Sequence, residues 1–259
     1  MESIRLNKII SHNTTYSRRD ADKLIQEGKI KVDGKVVTDL STKVNFKDNI
    51  IKINEKKLFV KSKFSVIIYN KQKGEIVSKK DDRNRKTIYD TISGQFRHYI
   101  PVGRLDYASE GLLIMSDSSK LVSLLMSSSM ERVYYLKIKG PITEEMQKAM
   151  KTGLTLADAT KGAHALTSQK SMEFKPFVAY NIIKNTSNGS KIKVAISEGQ
   201  NRELRRFFAH FDADVTDLKR VSFGGIDLGM LKPGKTRFLE NNEYQSLHTF
   251  LEKNDFFNY

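Results

Sequence analysis

Asp106 ends the run Gly103-Arg104-Leu105-Asp106, which follows Ile100-Pro101-Val102 and precedes an apolar segment that reads as a buried strand. That position puts a carboxylate in a loop facing a concavity, where chemistry at neutral pH needs a nearby cation, because burial alone raises a carboxyl pKa. Taken by itself, an Asp in such a loop is more often a turn residue bonded to its own backbone. Other chemistries find less support. Cys is 0, which removes thiolate catalysis, disulfides and Cys-based metal sites together. The 5 His (His12, His98, His164, His210 and His248) form no HxxxH or HxH pair, and neither GxGxxG nor GxxxxGK[ST] occurs. One Asp in the GRLD loop does not make the carboxylate cluster of a Mg²⁺-dependent nuclease.

The elements that must position this loop belong to a basic chain of 259 residues, with 45 Lys+Arg against 30 Asp+Glu and a net charge of +15. The excess points to a polyanionic partner, and 39% hydrophobic residues supply a core for one large domain or two. No run reaches the roughly 18 apolar residues of a membrane span, and MESIRLNKII lacks the apolar core of a signal peptide, so a cytoplasmic protein is expected.

Residues 5–53 predict two short helices and a hairpin. Leu6, Ile9 and Ile10 lie at helical spacing; Ser17-Arg18-Arg19-Asp20 reads as a helix start capped by Ser17, with Ala21, Leu24 and Ile25 on its buried face and Gly28 as its stop. Lys29 to Val32 alternates, turns at Asp33-Gly34 and returns through Val37. Arg18, Arg19 and Lys23 crowd the start of the second helix, where backbone amides also favour anions, while Lys29 and Lys31 project opposite Ile30 and Val32. Residues 1–63 hold 15 Lys+Arg against 8 Asp+Glu, nearly half the chain's excess charge. A solvated basic surface and a phosphate-binding one are equally compatible with that cluster.

IRLNKII, SRRDADKLIQEGKIKVDGKVV and DNIIKIN together resemble the alpha-L RNA-binding motif of a small-subunit ribosomal protein, which is also appended to many RNA-modifying enzymes. The resemblance implies binding to folded RNA, whose A-form helices are read through phosphates, shape and 2′-hydroxyls. The Lys-rich residues 54–63 lack periodicity and read as a tether. Beyond it, strands are predicted over 64–69, 111–115, 133–139, 178–184, 191–196 and 218–223, with the fourth and fifth forming a hairpin about Asn188-Gly189. Helices are predicted over 87–92, 120–126 (started by Ser116-Asp117), 143–150 (closed by Gly153), 201–211 and 242–251. The interspersion indicates an α+β domain.

GRLDYASEGLLIMSD is similar to the central motif of the RsuA-type ribosomal-RNA pseudouridine synthases. ERVYYLKIKGPIT resembles the family's Tyr-bearing strand, and EGQNRELRRFFAHFDADVTDLKRVSFGGIDLGMLKPG its Arg-bearing helix and following strand, so ordered motifs span residues 3–240. The resemblance implies an alpha-L RNA-binding domain over 1–60 and a mixed, mainly antiparallel-sheet catalytic domain over 64–259. It implies that Asp106 is the essential carboxylate, that Arg205 pairs with it, and that Tyr134 stacks on the uracil. Uracil would leave C1′ through N1, rotate, and rejoin through C5, with no cofactor or metal.

On the 201–211 helix, Leu204, Phe207, Phe208 and Phe211 form the buried stripe, and Arg205, about 100° from Leu204, lies at its edge. Arg202 and Arg206 are expected to point toward solvent and phosphate, and Lys219 and Arg220 to contact RNA beside the pocket. Tyr135 should face away from Tyr134 across the strand. Arg104 is expected at a phosphate or the flipped nucleotide, since flipping costs a few kcal/mol that contacts must offset, and Leu218 and Val221 are candidate walls of the uracil pocket. The family's Lys-Pro ahead of the central motif is Asn70-Lys71-Gln72-Lys73-Gly74 here, a change that affects loop geometry. The leading expectation is a monomeric, site-specific rRNA pseudouridine synthase acting on rRNA or an assembly intermediate, with large-subunit (23S) RNA favoured over small-subunit (16S). The alternative is a non-catalytic RNA-binding or ribosome-assembly factor.

Overall fold

The computed structural model describes residues 3–45, 48–59, 64–164, 167–254 and 256. The first unit comprises β1 (Ile4–Arg5), α1 (Leu6–Asn13), α2 (Arg18–Gln26), β2 (Ile30–Val32), β3 (Lys35–Val36), β4 (Lys43–Val44), β5 (Ile51–Ile53) and β6 (Lys56–Lys57). α2 starts where its local chemistry dictates. The Ser17 hydroxyl accepts from the Asp20 amide at 3.2 Å while the Asp20 carboxylate accepts from the Ser17 amide at 3.0 Å, closing a capping box. Gly28 stops the helix at φ 68°, and the hairpin turn puts Asp33 at φ 48° and Gly34 at φ 81°, as a two-residue turn matched to strand twist demands. β3, β2, β5 and β6 form one sheet and β1 pairs with β4, over a core of Leu6, Ile10, Ala21, Ile25, Ile30 and Ile51. β6 lies inside the segment expected to be a tether: Lys52 pairs with Lys57 and Ile53 with Lys56, and Leu58 is buried in the same core. Two residue pairs are too short a strand for periodicity to reveal. Residues 60–63 of that segment lie outside the described residues.

The second unit runs β7 (Val66–Lys71), α3 (Ile88–Thr91), β8 (Ile100–Pro101), β9 (Glu110–Ser116), α4 (Ser119–Ser127), β10 (Arg132–Ile138), α5 (Glu144–Thr152), β11 (Leu154–Leu156), β12 (Met172–Phe174), β13 (Ala179–Lys184), β14 (Ser190–Ile196), α6 (Glu203–His210), β15 (Val215–Phe223), β16 (Ile226–Asp227), β17 (Thr236–Phe238) and α7 (Asn241–Lys253). Its sheet has the order β13-β14-β10-β15-β9-β7-β17, with β16 beside β15 and β8 beside β9. Every pairing is antiparallel except β9 with β15, so the fold is mixed α+β with a mainly antiparallel sheet. That one parallel pairing spans only Lys219↔Glu110 and Arg220↔Gly111. It divides the sheet into two halves, and the backbones meet so closely that a Cβ on Gly111, at φ 104°, would lie 2.1 Å from the Arg220 carbonyl oxygen.

α5 and α6 cover one face of β13, β14, β10 and β15, while α4 and α7 pack against β7 and β9. The cap of α4 is Ser118, whose hydroxyl accepts from the Leu121 amide, one residue beyond the expected Ser116-Asp117 start. The two units touch where α1 packs on α4, with the Ser119 hydroxyl donating to the Ser11 carbonyl at 2.7 Å. Among the described residues no helix is long and apolar enough to cross a membrane.

Candidate active site

Asp106 hangs in the loop ahead of β9, and β7 fixes that loop from both sides. The fully buried Lys71 at the end of β7 donates from Nζ to the carbonyls of Gln72 (2.9 Å), Asp106 (3.0 Å) and Ser109 (2.8 Å). Burial lowers its pKa to about 8 against the pull of Glu75, Asp106 and Glu110, and three carbonyl acceptors are what an ammonium needs to remain inside. The Gly74 amide donates to the Tyr107 carbonyl at 2.8 Å, with Gly74 at φ 78°. The turn therefore closes firmly although the family's Pro is missing. These backbone ties leave the Asp106 carboxylate facing a cleft of about 170 Å³.

Two arginines oppose that carboxylate. Arg202 Nη1 stands 3.7 Å and Arg205 Nε 3.9 Å from Asp106 Oδ2. Arg205 is held by Nη1 donating to the Val215 carbonyl at 2.7 Å and Nη2 reaching the Ser109 hydroxyl at 3.4 Å, which leaves Nε directed at Asp106 with no hydrogen-bond partner. Burial depresses its pKa and Arg202 adds to that, with Asp106 and Asp217 opposing; a guanidinium stays charged regardless. Arg202 was expected to face solvent. Instead α6 starts at Glu203, Arg202 sits before it at φ 53°, and its Nε donates to the Gly162 carbonyl at 2.7 Å, turning the guanidinium into the cleft.

Tyr134 on β10 is 6% exposed and lines the cleft, whereas its neighbour Tyr135 is 42% exposed on the opposite face, as strand alternation requires. Leu218 and Arg104 also line the cleft. Arg220 does too, but it is buried, with Nε donating to the Leu112 carbonyl at 2.7 Å, so it is a wall of the cleft and no solvent-facing contact. Val221 is not a wall. A register shift between Val133 and Tyr134 passes over it, and it lies off the face that carries Leu218 and Arg220. Lys219 likewise falls on the far side, in register with Tyr135. Arg206 is fully buried rather than solvent-facing: its Nε donates to the Ala159 carbonyl at 2.6 Å and its Nη2 to the Gln169 carbonyl at 2.9 Å. A loop distant in sequence covers that side of α6, beyond the reach of helical periodicity.

The cleft contains residues that motif reading passed over. Arg132, at the inward parity shared with Tyr134, donates to the carbonyls of Met130 (2.8 Å) and Ser197 (3.0 Å) and stacks 4.8 Å from the Phe223 ring centre. A charged residue at an inward position is a readable signal. Glu203, 5% exposed, accepts from the Gln200 amide at 2.8 Å; burial, with Glu198 adding, raises its pKa to about 6. With five arginines against two carboxylates, Asp106 and Glu203, the lining is electropositive. Among the described residues no three His, Asp or Glu side chains converge on a metal position.

On the first unit Arg18, Arg19 and Lys23 are exposed, whereas Lys29 pairs with Glu27 and Lys31 with Glu55, both at 2.6 Å. A basic loop of the second unit approaches α2: Asp20, held low chiefly by Ser17, also feels Lys23 and Lys79. In that loop Asp81 grips Arg85 through Nη2 at 2.7 Å and Nε at 3.1 Å, leaving Lys79, Lys80 and Arg83 outward.

Comparison with known proteins agrees with this architecture. Residues 65–210, more than half of the chain, match the RNA pseudouridylate synthase family, and residues 4–50 match the S4 domain. A Helicobacter pylori protein named "Uncharacterized RNA pseudouridine synthase" is 48% identical over 252 residues, 96% of this chain and 95% of that protein. The Bacillus subtilis "Ribosomal large subunit pseudouridine synthase B" is 34% identical over 250 residues, 96% of this chain and 97% of that one. A crystal structure of a pseudouridylate synthase shares the fold, with a TM-score of 0.62 at 24% identity over 95% of this chain and all of that one. An S4 domain followed by a pseudouridylate synthase domain is the arrangement these matches share, and the chain belongs to the RNA pseudouridylate synthase family.

Proposed function

We propose that this RNA pseudouridine synthase modifies one uridine of ribosomal RNA, in the large subunit, with residues 1–60 gripping folded RNA and residues 64–259 flipping and isomerising the base. The observation that carries the catalytic assignment is the convergence of Asp106, Arg205 and Tyr134 on one cleft, with Asp106 facing two guanidiniums at 3.7 and 3.9 Å. Asp106 is the essential carboxylate, acting on C1′ or taking a sugar proton. The guanidiniums of Arg202 and Arg205 stand opposite it across the cleft. Tyr134 offers a ring to the uracil beside Leu218, and Arg104, exposed at the rim, meets a phosphate or the flipped nucleotide. Uracil departs from C1′ through N1, turns within the cleft and bonds through C5, which gives up its proton while N1 gains one, so the reaction is redox-neutral and consumes no cofactor.

Arg18, Arg19 and Lys23, exposed at the start of α2, take phosphates of the surrounding helix, and the outward cations of the Lys79–Arg83 stretch extend that track toward the cleft. The protein acts as a cytoplasmic monomer. The large-subunit target is favoured by the name of the Bacillus subtilis relative.

Pseudouridine has the mass of uridine, so the test is carbodiimide labelling and primer extension across both large rRNAs of a deletion strain complemented with wild type or Asp106→Asn. The expected result is one stop in large-subunit rRNA that disappears on deletion and returns only with wild type. A returning stop in small-subunit rRNA would overturn the choice of subunit. A stop restored by Asp106→Asn would overturn the catalytic assignment.

A further inference from the structure

β10 and most of β14 alternate between buried and more exposed side chains, and β13 alternates between exposed residues and the half-buried Tyr180 and Ile182, so the face of β13-β14-β10-β15 turned away from α5 and α6 is open to solvent. Register assembles a row of side chains there. Lys193 pairs with Tyr135 and Asn181, Tyr135 pairs with Lys219, Lys137 pairs with Lys191, and Lys184 pairs with Lys191. Residues directly opposite share a face, so five lysines from four strands surround one exposed tyrosine. The carboxylates of this face are Asp217, already held by Lys73 at 2.7 Å and Lys137 at 3.1 Å, and Glu110 beside Lys219 at the seam. Near the end of the face a shallow cleft of about 350 Å³ is lined by Lys137, Lys139, Lys184 and Lys191 and by no acidic residue.

We propose that this outer face is a second RNA-contact surface, binding the sugar-phosphate backbone of a substrate segment other than the one held at the cleft. The inference rests on RNA being the substrate and adds a site on the reverse of the sheet that forms the cleft. Like charges brought into one row repel one another and cost stability unless a polyanion neutralises them. Neighbouring strands lie about 4.8 Å apart, so Lys193 and Lys219 straddle Tyr135 with backbones about 10 Å apart. The Lys193 ammonium stands 5.7 Å from the Tyr135 ring centre, and an aromatic ring among cations is a platform for a base or ribose flanked by phosphates. A protein partner would need an apolar centre that excludes water; this face offers one ring among lysines. Because Tyr134 and Tyr135 point to opposite sides of β10, RNA reaching both surfaces must pass around the β13 edge or present two arms, which selects large folded substrates over an isolated stem.

The test uses the full chain with Lys184, Lys191 and Lys193 all changed to Gln. A control chain carries Lys148→Gln, Lys151→Gln and Lys253→Gln, which alters net charge equally on α5 and α7. The probe is labelled total rRNA from a deletion strain, bound across a KCl series, with pseudouridine yield measured at saturating protein. The triple variant is expected to lose about 2 to 3 from the slope of log affinity against log salt, at about 0.9 per phosphate contact, and to bind about 10-fold more weakly at fixed salt with unchanged yield at saturation. The control chain should keep the wild-type slope. Equal slopes for wild type and the outer-face variant would overturn the proposal, as would an equal loss in the control. Absence of product from the wild-type chain would instead refute the proposed rRNA function, while the binding comparison decides the surface independently.

Discussion

β7 and β9 read VIIYNK and EGLLIMS and are buried along almost their whole length, whereas β10 and β14 read RVYYLKI and SKIKVAI and alternate. The first pair is sandwiched between the cluster of α4 and α7 and a second cluster built by Tyr69, Ile88, Tyr89, Phe96 and Met115. The second pair is covered on one face only. Near-continuous apolar runs and period-two patterns are the sequence marks of these two situations. The difference has a functional meaning. The doubly covered half is a shelf from which the Asp106 loop hangs through Lys71, and the singly covered half brings Tyr134, Leu218 and Arg205 to that loop while turning its other side to solvent.

Exchanging a side chain between the two halves exposes the contrast most strongly. Ile68→Lys would force an ammonium between two apolar layers at a site that is fully buried, and is expected to cost about 5 kcal/mol or more, close to the whole stability of a domain. Ile183→Lys, at a β13 position 53% exposed, is expected to stay within about 0.5 kcal/mol. Urea unfolding of both variants measures the difference, and similar losses would refute the single coverage of the second half.

A smaller effect should follow from cutting the shelf from the loop. Lys71→Met removes the donor shared by the Gln72, Asp106 and Ser109 carbonyls while keeping the volume. A displaced carboxylate should lower kcat on the order of 10²-fold with KM for RNA nearly constant; a loss confined to KM would contradict the positioning role.

The smallest effect belongs to the cleft on the second half. Glu203 has its pKa raised from 4.5 to about 6, so the native state holds more protons than the unfolded chain between those values. Its stabilising contribution is complete below pH 4.5 and is lost as pH rises through about 6, leaving a buried carboxylate that costs about 2 kcal/mol at neutral pH. Glu203→Gln should raise Tm at pH 7.5 and flatten the stability profile between pH 4.5 and 6, as thermal melts across that range will show. A profile unchanged by the substitution would remove Glu203 as its cause.

Features decided within a few residues were legible before any coordinates. The Ser17–Asp20 box, the Gly28 stop, the Asp33-Gly34 turn and the opposed faces of Tyr134 and Tyr135 each depend on local geometry alone, and each stands where its spacing placed it. Asp106 was singled out by the resemblance of GRLDYASEGLLIMSD to the family's central motif, since the loop alone reads as an ordinary turn. Misreadings arose where distant chain intervenes. Arg206 is buried by the loop that supplies the Ala159 and Gln169 carbonyls, Arg202 turns inward because Gly162 accepts its Nε, and Val221 falls at a register shift that no periodicity signals. Lys71 was the readable omission: a lysine that ends a strand with no exposed side chain must be bonded to something.

The seam between the halves consists of two residue pairs, with Gly111 against the Arg220 carbonyl. Asp106 is attached to one side of it and Arg205 to the other, so the gap of 3.9 Å between them is measured across a joint. Such a joint behaves as a bearing with a single hydrogen atom as its clearance. A methyl group there would act as a shim, forcing the halves apart and lengthening that gap although it touches neither the carboxylate nor the guanidinium. The alignment of carboxylate and guanidinium is thus calibrated by the one side chain at the crossing that has no carbon atom.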